Sequence, residues 1–564
     1  MGNALTAGVS GLKAHQQMLD VSGNNLANLN TRGFKSSRVN FSELLGENFR
    51  EAQQPSDTSG GTNPMGMGGG VKVSSIDRDM GQGTLVNTGQ PLDMAIEGSG
   101  FFCLNNGGGD VYTRVGTFAI DADYNLVDPA TGYHVQRTGA EGIDDGFQDA
   151  SNSNIRIPFD TALPANATSQ VTLTGNLSAD EIDPTTQELG SGTAYTTSTG
   201  TAASSTNELW QTSIGEDMDG TQNLCGTITI NGTMPDGTTI SSAGTLAVYD
   251  GSGVNPATTV ADLLDNIRST FGNEVTATMI DGQIRIKDDA SGYSVTDITL
   301  TYAAAASNGT DMDLPAYWKI LEAGGQATKN TSIEVFDSQG VPHILTGSFV
   351  KTDTINEWDF VMTSITGDIA SIPNRRISRL SFLSDGSYGG IAGSTPDTSE
   401  FSIGLNGGLP SMDITVDLGR SGQYNGLSQF GGSSTAAPND QNGYSAGWLS
   451  DLSVGSDGTL VGVFTNGIRR DIASMKIATF QNPAGMMGVG SNYFEASANS
   501  GDPVTGTALS GGAGSIRGQA LENSNVEVAT EFVNLIQAQN GYQANARTIR
   551  VANDMLKELT NLIR

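Results

Sequence analysis

"LENSNVEVATEFVNLIQAQNGYQANARTIRVANDMLKELTNLIR", residues 521–564, decides how this chain is to be read. Leu521, Val528, Leu535, Tyr542, Ile549, Leu556 and Ile563 hold one heptad position, and Phe532, Ile536, Ala546, Ala552 and Leu559 widen the stripe. Apolar residues at that spacing line one face of a helix, here one of roughly 64 Å at 1.5 Å per residue. The other end of the chain answers it. Leu5, Leu12, Leu19 and Leu26 also recur every seven residues, with Val9 between the first two, and predict a helix over residues 3 to about 29. The polar faces of both carry Asn, Gln, Ala and Ser in place of Lys/Glu ladders, as in "GNNLANLN" and "NLIQAQNGYQANARTI". Amides and small side chains permit close contact with several neighbours without burying charge. Isolated helices are marginal in water, so the pattern predicts terminal helices that gain stable shape by bundling. A dense multi-helix assembly fits better than a two-helix coiled coil on a monomer.

The charge distribution agrees. Of the net −32, residues 1–30 contribute nothing (Lys13 against Asp20), and residues 521–564 contribute −1. Near-neutral ends and an acidic middle suit a packed interior and a solvated exterior. So acidic a chain is repelled by nucleic acid and by anionic membrane surfaces. With 564 residues there is room for several domains, and 74 glycines with only 16% charged residues suit many short strands joined by turns. The start, "MGNALTAGVSGLKAHQQ", has neither a basic n-region nor an apolar h-region, so no cleaved secretory signal is expected. No apolar run is long enough for membrane insertion. Two cysteines, Cys103 and Cys225, make no disulfide framework.

Inside the helical ends the pattern turns to β. Residues 31–70 are rich in Gly, Ser, Asn and Pro and read as a linker. From Val71 to about residue 148, "VKVSSI", "DMAIEG", "GFFCL" and "DVYTRVGTFAI" read as strands separated by Gly and Asp turns. Residues 430–515 are similar, and Asn466-Gly467 reads as the two-residue turn of a hairpin. A Ser/Thr/Gly-rich break covers 185–206. After it comes a β–α–ββ unit: the strand "TITING", a helical face of Val260, Leu263, Leu264, Ile267 and Phe271, and a hairpin around Asp281-Gly282. The fold class expected is mixed, mainly β, with terminal α-helices forming a coiled-coil-like core and two or three β-rich domains between them.

Catalytic chemistry is not expected. His15, His134 and His343 stand far apart without partner motifs. "DADYNLVDPATG", residues 121–132, opens like a calcium loop, but Leu126 replaces the sixth-position Gly and Gly132 the twelfth-position Glu. No metal, cofactor or catalytic residue is assigned.

Several motifs together carry a family resemblance. "SGLKAHQQMLDVSGNNLANLNTRGFKSSRVNF", "TGQPLDMAIEGSGFF" followed by "YTRVGTF", and "ALENSNVEVATEFVNLIQAQNGYQANARTIRVANDML" resemble, in order, the signatures of bacterial flagellar rod and hook proteins. "IEVFDSQGVPHILTGSFVK" and "PAGMMGVGSNYFEASANSG" are similar to the hook members of that family. The resemblance implies a tubular homopolymer with helices around a central channel and β domains outward, serving as a flexible joint that transmits motor torque. It implies export through the flagellar type III apparatus to the cell exterior. It also implies contact with the distal rod protein, a hook cap and the hook-filament junction protein. Another axial component, a distal rod or junction protein with enlarged outer domains, is the alternative, and a secreted β-rich adhesin or glycan-acting enzyme a more distant one.

On this reading the chain is nested. Residues 1–30 pair with 521–564, 71–148 with 430–515, and 149–206 with 326–429, leaving 207–325 outermost. The expected assembly interface comprises Leu5, Leu12, Leu19, Asn24, Asn25, Leu26, Asn28, Gly33, Phe34, Val528, Leu535, Tyr542, Ile549 and Leu556. Asn24, Asn25, Asn28 and Asn30 end the first helix with amides able to bond neighbouring helices or freed carbonyls. Gly33 can supply a positive φ where the chain leaves the core, and Phe34 an anchor. A plain helix stop with one buried aromatic is the other reading of the same residues.

Overall fold

The computed structural model describes every residue except 1, 56, 58, 216–224, 252–254, 306–310, 392–398 and 563–564, and only the backbone at 2 and 3. Among the described residues, three α-helices stand amid many short strands: α1 (Gly2–Ala27), α2 (Val260–Thr270) and α3 (Val528–Leu562). The fold is mainly β with helices at both ends, as the sequence predicts. The chain divides into two compact units, residues 1–163 with 447–564, and residues 164–446. Where it leaves and re-enters the first, Leu163 and Gly447 exchange backbone hydrogen bonds of 2.8 and 3.1 Å.

In the first unit α1 and α3 run antiparallel. α3 begins at Val528 and not at Leu521, because residues Ala520–Glu522 form a strand whose register sets Leu521 opposite Val86. Leu521 is buried in the β module and leaves the heptad stripe, whose last member, Ile563, lies outside the described residues. Residues 31–70 contain more ladder than their composition suggests. Ser37–Glu43 pairs with Val71–Arg78, and Glu47–Arg50 with Met65–Met67, so one long antiparallel ribbon leaves and rejoins the base of α1. Beyond it, strands from both halves of the chain interleave in one sheet: Phe101–Asn105 pairs with Ile477–Thr479, and Asp110–Thr113 with Tyr493–Glu495. The hairpin at Asn466-Gly467 has a three-residue loop and not a two-residue one. Phe464 N donates to Ile468 O and Gly467 N to Phe464 O, both at 2.9 Å, and Gly467 takes a φ of 81°. That is a type I turn closed by a residue in the left-handed region.

The two helices join this β module at one buried carboxylate. Glu522 Oε1 accepts hydrogen bonds from Lys35 Nζ and from Gly83 N, each at 2.7 Å, and Oε2 lies 3.5 Å from Arg114 Nη1. Lys35 donates also to Gly81 O and Arg114 to Gly98 O, both at 2.8 Å, while the guanidinium lies over the Phe101 ring. The side chains of Lys35, Arg114 and Glu522 are 1%, 5% and 0% exposed. Burial draws the pKa of Lys35 and of Arg114 below its usual value, and the Glu522 charge opposes that pull on both. The ends of the chain are thereby clamped to the strands between them.

The second unit holds two cores. A six-stranded sheet including Gln170–Ser178, Glu400–Leu405 and Met412–Asp417 packs its apolar face on a five-stranded one including Pro342–Lys351 and Glu357–Ile365. Phe349 stacks on Phe360, which in turn meets Phe401 of the other sheet at 5.4 Å. In the second core α2 lies on strands Gly244–Tyr249 and Val275–Ile280 and buries Val260, Leu263, Leu264 and Ile267, with Phe271 just beyond. Thr259 caps α2 and Asp262 reaches back to it, a reciprocal box that satisfies two orphan donors. Asp281 and Gly282 take φ values of 50° and 78° in a two-residue turn. This core also draws in Leu189, Tyr195 and Ala203, because Glu188–Ser191 pairs with both Gln283–Asp288 and Trp318–Glu322. Asp359, fully buried, accepts hydrogen bonds from Tyr293 Oη (2.7 Å), Arg376 Nη1 (2.9 Å) and Arg379 N (2.8 Å), tying this part to the five-stranded sheet.

Lys35→Met strips a buried carboxylate of its closest cation, and losses of that kind run to about 3–5 kcal/mol. Hydrogen exchange of strands 94–97 and 515–518 across a urea series should show that loss, and unchanged protection would contradict it. Cys103 is fully buried, and burial pushes its thiol up to about 12. In a Cys225→Ser chain at pH 8, Cys103 should resist thiol reagents until the protein unfolds. Rapid labelling of the native chain would disprove its burial.

Candidate assembly interface

The seam between α1 and α3 is made of small residues. A methyl group added at Gly8 would come within 2.9 Å of Ile549 Cγ1, one at Gly11 within 2.7 Å of Asn545 Oδ1, and one at Gly541 within 2.5 Å of the His15 ring. Ala14, Ala538 and Ala552 are buried. Removing side chains from the seam lets the two backbones approach closely, which leaves the larger apolar groups to the flanks. Of the heptad residues, Ile549 meets the seam at Gly8. Leu5, Leu12, Leu19, Leu26 and Leu535 are half-buried, and Val528, Tyr542 and Leu556 are exposed. Of the small seam residues, the apolar stripe includes Ala552 and leaves out Gly8, Gly11, Ala14, Ala538 and Gly541. Their signal is the spacing of small residues at 8, 11 and 14, which a search for apolar stripes passes over.

At the base of the helices one asparagine is fully buried. Asn25 Nδ2 donates to Ser37 O at 2.7 Å and to Glu531 Oε1 at 3.0 Å, while its Oδ1 accepts from Ser37 N at 3.0 Å. It therefore ties α1 to α3 and to the first strand of the ribbon. Asn28 works locally, donating to Asn24 O at 2.9 Å and accepting from Thr31 Oγ1 at 3.1 Å, as a helix stop does. Asn24 and Asn30 are exposed. Gly33 takes a φ of 64°, donates to Glu522 O at 2.9 Å, and sits where a methyl would lie 3.1 Å from Arg114 C and Val115 N. Both the positive φ and the close approach require glycine there. Phe34 is half-buried, and its carbonyl accepts from Asn525 N. Lys35, Arg114, Glu522 and Asn525 complete this knot and were not singled out from sequence, since hundreds of residues separate the partners.

The remaining surface is unusually apolar. Phe532, Val533, Ile536, Val551, Met555, Leu559 and Leu562 are exposed on α3, as are Phe41, Leu45, Phe49, Met65, Met67 and Ile76 on the ribbon. Contiguous apolar exposure of this kind marks contact surfaces. No helix among the described residues is long and apolar enough to cross a membrane. Nor does any cluster of His, Cys, Asp or Glu among them have metal-holding geometry. His343 sits between Thr366 O and Asp337 Oδ2 in the second unit, and the Asp121 carboxylate is engaged by Asp123 and Asn125 within its own turn.

Four family models match in order: the flagella basal body rod protein over residues 5–35, the flagellar hook protein FlgE/F/G D1 domain over 95–179, the flagellar basal body protein FlaE D2 domain over 306–444, and the flagellar basal body rod FlgEFG protein C-terminal over 517–562. The flagellar hook protein FlgE of Treponema pallidum is 30% identical and that of Borreliella burgdorferi 29% identical, each over 100% of both chains. The crystal structure of Helicobacter pylori flagellar hook protein FlgE2 covers 78% of this chain and 100% of its own, with a TM-score of 0.40 and 17% identity. The end-to-end sequence similarity to the Treponema pallidum and Borreliella burgdorferi hook proteins sets aside the rod, junction and adhesin readings. With both terminal helices and parts of the β modules matched in sequence order by the family models, and a hook protein 30% identical over its whole length, the chain belongs to the flagellar hook protein FlgE family and is a structural subunit of the flagellar hook.

Proposed function

We propose that the chain polymerises into a flexible tube outside the cell, which passes motor torque from rod to filament around a central export channel. The observation that carries this is the disposition of α1 and α3. Their mutual seam is filled by small residues, and the apolar side chains of α3 remain turned outward. Identical neighbours would cover those faces, and burial of each large side chain is worth about 1.5–3 kcal/mol. Leu5, Leu12, Leu19, Leu26, Val528, Leu535, Tyr542 and Leu556 are assigned to contacts between copies. Asn25, Gly33 and Phe34 are assigned to holding the helices at the angle those contacts need.

Stiffness and flexibility then separate within one chain. The helical pair, clamped through Glu522, keeps its connections, while the glycine-rich outer domains slide over polar contacts, a shear-type change. The nested pairing of residues 71–148 with 430–515 and of 149–206 with 326–429, with 207–325 outermost, belongs to this reading, adjusted by the first unit's hold on 149–163, the second unit's on 430–446 and the α2 core's on Leu189, Tyr195 and Ala203. So do the distal rod protein, the hook cap and the hook-filament junction protein as neighbours, and type III export without a cleaved signal.

Electron microscopy of the purified polymer tests the proposal. Curved tubes are expected, and straight rods or an absence of tubes would overturn it. Asn25→Leu leaves Ser37 and Glu531 without their partner, at about 1–3 kcal/mol for each group stranded, and Gly33→Val cannot adopt the required φ. Both should reduce tube formation at least tenfold while the thermal melting of the second unit stays within a degree or two of the parent. Normal tubes from both would remove these residues from assembly.

A further inference from the structure

A groove of about 400 Å³ in the first unit is bordered by the edges of two sheets. One border is Leu449–Val454, the end strand of a four-stranded sheet. It pairs with Thr459–Phe464 on one side and, among the described residues, with no strand on the other. The second border is Ala119–Ile120, which ends the nine-stranded sheet and pairs with Leu126–Val127 alone. Leu92, Phe118, Ile120, Phe159 and Leu452 make the lining apolar. Phe118 stands edge-on to Phe102, with 5.3 Å between ring centres, which holds that part of the lining in place.

One charged group in this lining is nearly buried. Asp93 is 8% exposed, and its carboxylate accepts no hydrogen bond and meets no cation among the described residues. Its backbone is fixed, N donating to Gln90 O at 3.2 Å and bridging to Thr117. A carboxylate so placed has given up much of its water without gaining a partner, a cost that a cation entering the groove would recover. Asp451 adds an exposed carboxylate, whose Oδ1 accepts from Leu452 N at 2.8 Å, and no Lys or Arg lines the groove.

Edge and charge together define the occupant. An unpaired strand offers a row of backbone donors and acceptors, which another extended backbone can meet in register. An apolar lining with a carboxylate in it suits a Lys or Arg, whose aliphatic stem covers apolar surface while its head finds the charge. A second copy brings the same net −32 to this acidic groove, whereas a basic partner is drawn toward it. We propose that the groove binds an extended segment of a basic partner protein, added as a strand to Leu449–Val454 and anchored by one Lys or Arg on Asp93. The site belongs to the single chain and does not rest on the polymer reading.

Isothermal titration of the full-length, unpolymerised chain with acetyl-Ser-Val-Lys-Val-Ser-amide tests the proposal. The same peptide with norleucine in place of lysine should bind about tenfold more weakly, a comparison that needs no variant. Asp93→Asn should cost the lysine peptide a similar factor, about tenfold, at an unchanged melting temperature, because no contact within the chain is lost. Bound peptide should slow amide exchange over residues 449–454. Absence of binding at millimolar peptide, equal binding of the two peptides, or undiminished binding by the Asp93→Asn chain would overturn the proposal. So would n-butylammonium binding as tightly as the peptide, which would make the groove a site for small cations. Protection of 449–454 that grows with chain concentration in the absence of peptide would make a second copy the occupant, and would overturn it too.

Discussion

A single buried carboxylate holds the first unit together. Glu522 receives Lys35 from the N-terminal segment and Arg114 and Gly83 from the β module, and it leads within a few residues into α3. Nearly complete desolvation makes the cluster expensive to assemble from isolated charges and more expensive to leave half-assembled. Its contribution is therefore uniqueness of arrangement more than net stability. Gly33, whose amide bonds to the backbone of Glu522, and Asn525, whose side chain spans Ser36, Asp79 and Gly81, extend the same junction. Both ends of the chain are set in place by groups that must all be present together.

Above that junction the helices divide their surface between two tasks. Glycine and alanine make the contact within the chain, where close approach replaces bulky packing. Leucine, valine and phenylalanine are kept for other surfaces. A subunit whose largest apolar side chains were spent on its own helix pair would have little left with which to hold a neighbour. The same logic accounts for near-neutral helices on a strongly acidic protein, since charge carried on the bundled segments would oppose their close approach.

Much of the fold was legible because its signals are local. The seven-residue recurrence found both terminal helices, Val260 to Phe271 disclosed α2, and Asp281-Gly282 marked its turn with the residues that positive φ demands. Two of the three errors share one cause, a partner distant in sequence. Leu521 continues the heptad numerically but is claimed by a strand opposite Val86. The ribbon hides in a Gly- and Pro-rich stretch because its ladder joins Ser37–Glu43 to residues past 70. Asn466-Gly467 looks like a two-residue turn, yet the bonds between Phe464 and Ile468 set the loop one residue longer. Within the candidate site, Asn25 and Gly33 stood out by residue type. Lys35, Arg114 and Glu522 did not, since nothing near any one of them in sequence announces an ion cluster.

The paired backbones of Leu163 and Gly447 carry a further consequence. Everything from 164 to 446 leaves the first unit and comes back at adjoining points. From the side of the helices and their β module, that whole stretch is equivalent to a short loop closed by two hydrogen bonds. A foreign domain whose own termini lie side by side would satisfy the same doorway. The second unit can thus grow, shrink or be exchanged without breaking the backbone pairing that closes the first.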